Sequence, residues 1–302
     1  MSILTLPSIG LGTNYIGGHN LFPQADEKVG RTIVEQALHS GFTFFDTAYI
    51  YGLGRSEEII GEVLAATKQR SNVLLATKAA HVQGEKGITI ENHPQFLTEE
   101  VEKALKRLQT DVIDLFYIHF PDDHTPKAEA VGALQRLKEQ GKIRAIGVSN
   151  FSIEQLKEAN ANGYVDYVQG EFNLLNRSVE TTFFPYLQQE NIDFIPYFPL
   201  ASGLLAGKYS ADMVFTDGRK NKSHFQGQPF IDNLHKVEQL KPLATKYNTS
   251  IANIVLSYYT TIPTIASVIP GAKRPEQVID NAQAAHITLT PAECAFIETT
   301  FQ

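Results

Sequence analysis

Residues 112–119 read "VIDLFYIH". Apart from one aspartate, the run stays apolar until a histidine ends it, with no alternation of apolar and polar positions. A strand of that kind is covered on both faces, the condition of a parallel sheet wrapped by helices. Working outward, comparable runs recur as "IGLGT" (9–13), "TFFDTA" (43–48), "NVLLATKA" (72–79), "AIGVSN" (145–150), "YVQGEFN" (167–173), "DFIPYFPL" (193–200) and "ASVIPG" (266–271). Between them the period changes to that of a helix. Examples are "TEEVEKALKRL" from Thr98 and "KAEAVGALQRLKEQG" closed by Gly141. Ser152 and Gln155 spell a capping box, and Thr290, Pro291 and Glu293 open a last helix.

Eight strand candidates alternating with helices in 302 residues predict an α/β fold. Eight parallel strands close a (β/α)8 TIM barrel, and an open doubly wound sheet is the competing arrangement. No linker or low-complexity tract divides the chain, so residues 1–302 are expected to form a single domain. The interval of about 203–231 lacks a strand pattern, and its "DGRKNKSHFQGQP" portion is polar and rich in turn formers. It is expected to be a mobile loop.

Composition narrows the function. Apolar residues make up 43% and charged residues 20%, which supports a sizeable core. A net charge of −7 with no basic tract argues against nucleic acid as a partner. Cys294 is the single cysteine, so no intramolecular disulfide forms, as suits a reducing compartment. The N-terminus lacks the pattern of a signal peptide, and no apolar run is long enough for a membrane span. The expectation is a cytoplasmic protein. Its nine histidines are scattered, and the spacing of His119 and His124 matches no familiar ligand set, so no metal is expected. Asp122 and Asp123 are expected in a solvated loop, and Cys294 as a packing residue.

A barrel puts functional residues at the C-terminal ends of its strands. Asp46, Lys78, His119, Asn150, Gln169 and Asn173 interrupt or end the apolar runs. Asp46 and Lys78 on neighbouring strands would neutralise each other, and by themselves they read first as a structural ion pair. His119 and a nearby tyrosine, Tyr49 or Tyr51, add an acid–base logic. A lysine cation favours phenolate and lowers the tyrosine pKa, and a histidine can donate to a substrate carbonyl. The spacing of Tyr49 and Tyr51 would put both on one side of an extended chain and does not choose between them.

These segments resemble the aldo-keto reductase family. "DTAYIYG" is similar to its D-T-A-x-x-Y-G, "LLATK" to its strand-three lysine motif, and "DLFYIHFPD" to its D-L-x-x-x-H segment. The likeness continues in order through "GKIRAIGVSNF", "VQGEFNLLNR", "YFPLASGLLAGKY" and "VIPGAKRPEQVIDNAQA". It implies a (β/α)8 barrel reducing an aldehyde or ketone with NADPH. The family's tetrad falls on Asp46, Tyr51, Lys78 and His119, with Tyr51 as the acid. It also implies NADP(H) contacts. Gly12, Thr13 and Asp46 begin the groove, Ser149, Asn150 and Gln169 hold the carboxamide, and Tyr197 stacks on the nicotinamide. Pro199, Leu200, Ser202, Gly203, Leu204 and Lys208 belong to the pyrophosphate loop, and Gly271, Lys273, Gln277 and Asn281 to the adenosine phosphate segment. Lys273, with Arg274 beside it, suits a ribose 2′-phosphate.

Read without the resemblance, "GLGTNYIGG" fails G-x-G-x-x-G because position 15 is tyrosine. Ser149 and Asn150 have an alternative as helix caps, Tyr197 as core, and Lys273 as a surface lysine. Phe198 stands where relatives often have serine, and is expected to alter packing beneath the pyrophosphate loop. Gly170, where a larger residue is common, is expected to make local space. His119 favours carbonyl over alkene reduction, because relatives reducing enone double bonds have glutamate there. Tyr15, His19, Tyr49, His81 and Phe120 are candidate pocket walls. Two other functions remain open: an NADP(H)-binding regulatory or sensor subunit with little turnover, and an aldolase using Lys78 as a Schiff-base nucleophile.

Overall fold

The apolar runs become the inner sheet of the computed structural model, which describes residues 4–85 and 87–302. Strands β1 (Leu11–Gly12), β2 (Phe44–Asp46) and β3 (Leu74–Ala79) are followed by a hairpin, β4 (His81–Gly84) and β5 (Gly87–Ile90). Then come β6 (Ile113–Ile118), β7 (Ile143–Ser149), β8 (Tyr167–Glu171) and β9 (Asp193–Tyr197). The main sheet runs β1-β2-β3-β6-β7-β8-β9, parallel throughout. The eighth run forms only bridges, from Ile265 to Phe194 on one side and from Val268 and Gly271 to Ile9 and Gly12 on the other. Those bridges join β9 back to β1, so the sheet closes into a (β/α)8 barrel and the open doubly wound arrangement is excluded.

Helices α1 (Glu27–His39), α2 (Arg55–Thr67), α3 (Pro94–Arg107), α4 (Lys127–Glu139) and α5 (Ile153–Ala159) wrap the first half. Helices α6 (Val179–Thr182), α7 (Phe184–Glu190), α8 (Gly227–Glu238), α9 (Lys241–Lys246), α10 (Ile251–Tyr259), α11 (Pro275–Ala282) and α12 (Pro291–Thr300) wrap the second. Both expected capping boxes form, at Ser152–Gln155 and Thr290–Glu293. Helix α3 starts at Pro94 rather than Thr98, because proline suits the first helical position and His93 accepts from the Gln95 N–H.

Period two decides what faces inward. Phe44, Ala76, Leu115, Tyr117, Ala145, Tyr167, Ile195 and Ile269 form one apolar cluster. The intervening Phe45, Leu75, Phe116, Ile146, Val148, Val168 and Phe194 belong to the larger cluster beneath the helices. Residues at i and i+2 share a face. Asp46, Lys78, His119, Gln169 and Tyr197 each lie two residues beyond a member of the inner cluster, and Ser149 lies four beyond Ala145. The same alternation that fills the barrel therefore raises a polar layer at its C-terminal mouth. Gly147 makes room for the Tyr117 ring of the inner cluster, since a Cβ there would sit 2.2 Å from it. Asp114, at the opposite end of β6, is also buried. It accepts from the Leu75 N–H and pairs with Arg70 and Arg144.

The stretch expected as a loop is more ordered in form than its composition suggests. Short helical turns occupy Ala201–Ala206, Gly218–Asn221 and Ser223–Phe225, and α8 begins at Gly227, before the expected end. Phe215 explains the folding of this polar segment, with ring centroids 5.2 Å from Tyr209, 4.9 Å from Phe225 and 5.6 Å from Phe230. Aromatic contacts of this kind stabilise beyond their buried area.

Candidate active site

At the barrel mouth Lys78 Nζ donates to Asp46 Oδ1 at 2.5 Å and to the Thr47 carbonyl at 2.8 Å. Gln169 Nε2 donates to the other Asp46 oxygen at 3.0 Å. Thr13 Oγ1 donates to the Asp46 carbonyl at 2.9 Å, tying the end of β1 to the same residue. The Tyr51 ring lies 5.6 Å from Lys78 Nζ, and its centroid is 6.2 Å from that of His119. Four residues from three strand ends and one following turn thus converge.

The turn separates the two tyrosines. Tyr51 N–H donates to the Ala48 carbonyl at 3.1 Å and Gly54 N–H to the Tyr49 carbonyl at 2.6 Å, so the chain is not extended here. Tyr49 packs its ring 5.1 Å from the Arg107 guanidinium, which pairs with Glu57 and Glu100. Asn20, not anticipated from the sequence, brackets Tyr51. Its Nδ2 donates to the Ile50 carbonyl at 2.8 Å, and its Oδ1 accepts from the Gly52 N–H at 2.8 Å. Gly52, at φ 69°, is required at this turn, because a Cβ would meet the Gly17 carbonyl oxygen at 2.0 Å.

Burial governs the charges. It pushes the Asp46 carboxyl up and the Lys78 ammonium down, while their mutual attraction opposes both shifts. It pushes the Tyr51 phenol up, with Asp46 and Tyr197 adding to the rise. The lowering expected from Lys78 does not occur, because that cation is engaged by Asp46 and Thr47 and desolvation dominates. His119 falls well below the usual histidine value, through burial and then the Lys78 cation, and is neutral at pH 7.

Asn150, at φ 61°, donates to the His119 carbonyl and to Ser149 Oγ, both at 3.0 Å, and accepts from the Tyr197 hydroxyl at 2.8 Å. Helix α5 is capped by Ser152, so neither Ser149 nor Asn150 serves as its cap. Tyr197 is half-buried rather than core, with its hydroxyl pushed up to about 12 by burial and Glu171. Phe198 is 43% exposed, and Lys222 Nζ, which also bonds Ser202, lies 5.1 Å from its ring. The room that Gly170 leaves is taken by the Phe194 ring, which would stand 3.1 Å from a Cβ there.

Beyond Tyr197 the backbone turns through left-handed Ala201, Ser202 and Gly203. Pro199 is anchored by its carbonyl, which accepts from Tyr259. Leu200 packs on the core and Leu204 is fully buried, so Leu204 can offer only its backbone to a ligand. Lys222 Nζ donates to Ser202 Oγ at 3.2 Å. Burial pushes the Lys208 ammonium down, and the nearby cations of Arg219, Lys273 and Arg274 push it further. Arg219 and Lys222 were missed from sequence; the basic "GRKNK" following the glycine turn was the signal. Gly12 bridges to Gly271, Gln277 Oε1 accepts from the Lys273 N–H at 2.8 Å, and Asn281 is buried. Lys273 Nζ lies 4.6 Å from the Phe22 ring. Asp280 accepts from Ser250 and Asn253.

Glu91, Asp122 and His124 bring potential ligand atoms within 4.8 Å of one another. Asp122 is buried, not solvated. Its oxygens already accept from Asn92, His124, Thr125 and Lys127. Burial pushes its carboxyl up, but the bonds from Thr125 and Asn92 outweigh that and bring it to about 2. Saturated acceptors beside an ammonium make a loop anchor. Cys294 packs against the core from α12.

A closed (β/α)8 barrel carrying tyrosine, histidine and a lysine–carboxylate pair at its C-terminal mouth belongs to the oxidoreductases. The profile described as the aldo/keto reductase family matches residues 8–300, and the chain belongs to that family. It is similar to the aldo-keto reductase YhdN of Bacillus subtilis, 38% identical over 89% of this chain and 82% of that protein. It also resembles an Escherichia coli protein named NADH-specific methylglyoxal reductase, 32% identical over 97% of this chain and 94% of that protein. Among solved structures, a glycerol dehydrogenase from Gluconobacter oxydans superposes with a TM-score of 0.90 at 32% identity, covering 98% of this chain and 91% of that one.

Proposed function

We propose that this oxidoreductase reduces aldehydes or ketones to alcohols with NADPH, and that Tyr51 is its general acid. The observation that carries the reading is the convergence of Tyr51 and His119 beside the Lys78–Asp46 pair. When bound, NADPH supplies the hydride. Neutral His119 donates to the substrate carbonyl oxygen and holds it beside Tyr51. The Tyr51 hydroxyl, kept protonated by burial, gives its proton to the developing alkoxide. The Lys78 cation stabilises the phenolate left behind, and Asp46 keeps that cation charged and oriented. A lysine so engaged is unsuited to Schiff-base chemistry, which disfavours the aldolase reading.

The donor set suits a dinucleotide. Gln169 Nε2 is engaged by Asp46, which leaves its Oε1 to accept from a carboxamide alongside Ser149 and Asn150, while Tyr197 offers a ring face. Gly12 and Thr13 begin the groove. Pro199, Leu200, Ser202, Gly203 and Leu204 offer backbone, and Lys208, with Arg219 and Lys222, offers cations for phosphate. Gly271, Lys273, Gln277 and Asn281, with Arg274, form the adenosine phosphate end, and two cations there favour the 2′-phosphate of NADP(H) over NAD(H). Within the single domain, the tip around Val214, 83% exposed, is the part of the 203–231 stretch left to move.

The partner is a small carbonyl compound, and the single cysteine supports a cytoplasmic location. No helix among the described residues is long and apolar enough to cross a membrane. The second reading, a cofactor-sensing subunit, rests on likeness to a probable voltage-gated potassium channel subunit beta of Arabidopsis thaliana, 32% identical over 92% of this chain and 89% of that protein. NADPH oxidation against a panel of aldehydes, ketones and sugars separates the two. Steady turnover is expected; tight NADPH binding with negligible turnover would favour the sensor.

A further inference from the structure

His119 stands beside Tyr51 and a second histidine stands beside His119, and only His119 has a part in the chemistry above. His81 opens β4, and its ring centroid lies 5.0 Å from that of His119. Phe120, 37% exposed, backs both rings, at 5.4 Å from His81 and 5.1 Å from His119. Nδ1 of each imidazole is buried with no hydrogen-bond partner. Nε2 of each is neither buried in that way nor bonded within the protein, so both Nε2 atoms keep access to solvent at this end of the barrel.

Burial pushes the His81 pKa down as it does that of His119, so both rings are neutral at pH 7. A neutral imidazole carries one proton. With Nδ1 walled off from any acceptor, the proton belongs on Nε2, where an oxygen can meet it. The mouth therefore presents three donors: the Tyr51 hydroxyl and two Nε2–H groups. One carbonyl oxygen takes Tyr51 and His119. The third donor is left for a second oxygen, and rings with centroids 5.0 Å apart suit an oxygen on the carbon next to the carbonyl better than one at a distant position.

We propose that His81 is a specificity residue selecting carbonyl substrates oxygenated on the adjacent carbon, the 2-hydroxy and 2-oxo aldehydes and ketones. The proposal rests on the reductase reading above. A site built to hydrogen-bond a substrate oxygen discriminates strongly against the analogue that lacks it, because its donor is left unpaired.

The test compares kcat/KM for 2-hydroxypropanal and propanal, with NADPH, in the wild-type protein, His81→Phe and His81→Gln. The wild type is expected to favour the hydroxyaldehyde by about tenfold or more. His81→Phe should bring the ratio close to one, and His81→Gln, whose amide can still donate, should keep a preference. The ratio is taken within each variant, so a loss of folded protein cancels. A wild-type ratio of one or below, or a ratio that His81→Phe leaves as it was, overturns the proposal while turnover of propanal leaves the reductase reading standing. Reduction of neither aldehyde by the wild type overturns both.

Discussion

Asp46 and Lys78 are both buried, 2% and 1% exposed. A pair out of water is weak evidence for stability, but removing one member leaves the other charge uncompensated. Lys78→Met should therefore destabilise the fold by about 3–5 kcal/mol, read as a lower urea midpoint. Adding Asp46→Asn should recover part of the loss, since residues in contact are not additive. The identity of these two residues was legible, because charges inside apolar runs are costly and need an explanation. The separate fates of Tyr49 and Tyr51 were not. Their distinction depends on a turn and on Arg107 from a distant helix, neither of which enters a two-residue spacing. The direction of the Tyr51 shift was misjudged for a similar reason, because a sequence shows a neighbouring charge more readily than the depth of burial.

At the scale of elements, alternation within the strands did most of the work, placing Asp46, Lys78, His119, Gln169 and Tyr197 on one inward face. The β4–β5 hairpin is not among the elements expected from sequence, although the glycines at 84 and 87, which pair across it, were its signal. The eighth run survives only as bridges, and the aromatic residues that fold the 203–231 stretch are too widely spaced to read as a pattern. The loop carrying Asn20 was equally silent, since its importance lies in what it touches. Asn20→Ala removes both bonds that bracket Tyr51. It should lower kcat about tenfold, because small displacements of a reacting group are costly. Steady-state kinetics would show this, and a change confined to KM would instead make Asn20 a binding residue.

For the molecule as a whole, neutral buried histidines link stability to pH. His81 and His119 have folded pKa values below the roughly 6.5 of an unfolded histidine. As pH falls below about 6.5 the unfolded chain takes up protons that the folded chain refuses, so stability is full above that value and is lost as pH drops toward the folded values. The melting temperature should fall on acidification from about pH 7.5 to 5.5, and His119→Asn should flatten that dependence. The barrel brings these groups together at one mouth, and its central assignment is that Tyr51, and not Tyr49, gives the proton. NADPH oxidation with a good aldehyde, measured for Tyr51→Phe beside Tyr49→Phe, tests this most directly. The predicted result is a kcat lower by about 10²–10⁴ in Tyr51→Phe with Tyr49→Phe near wild type, and wild-type turnover by Tyr51→Phe would contradict the mechanism.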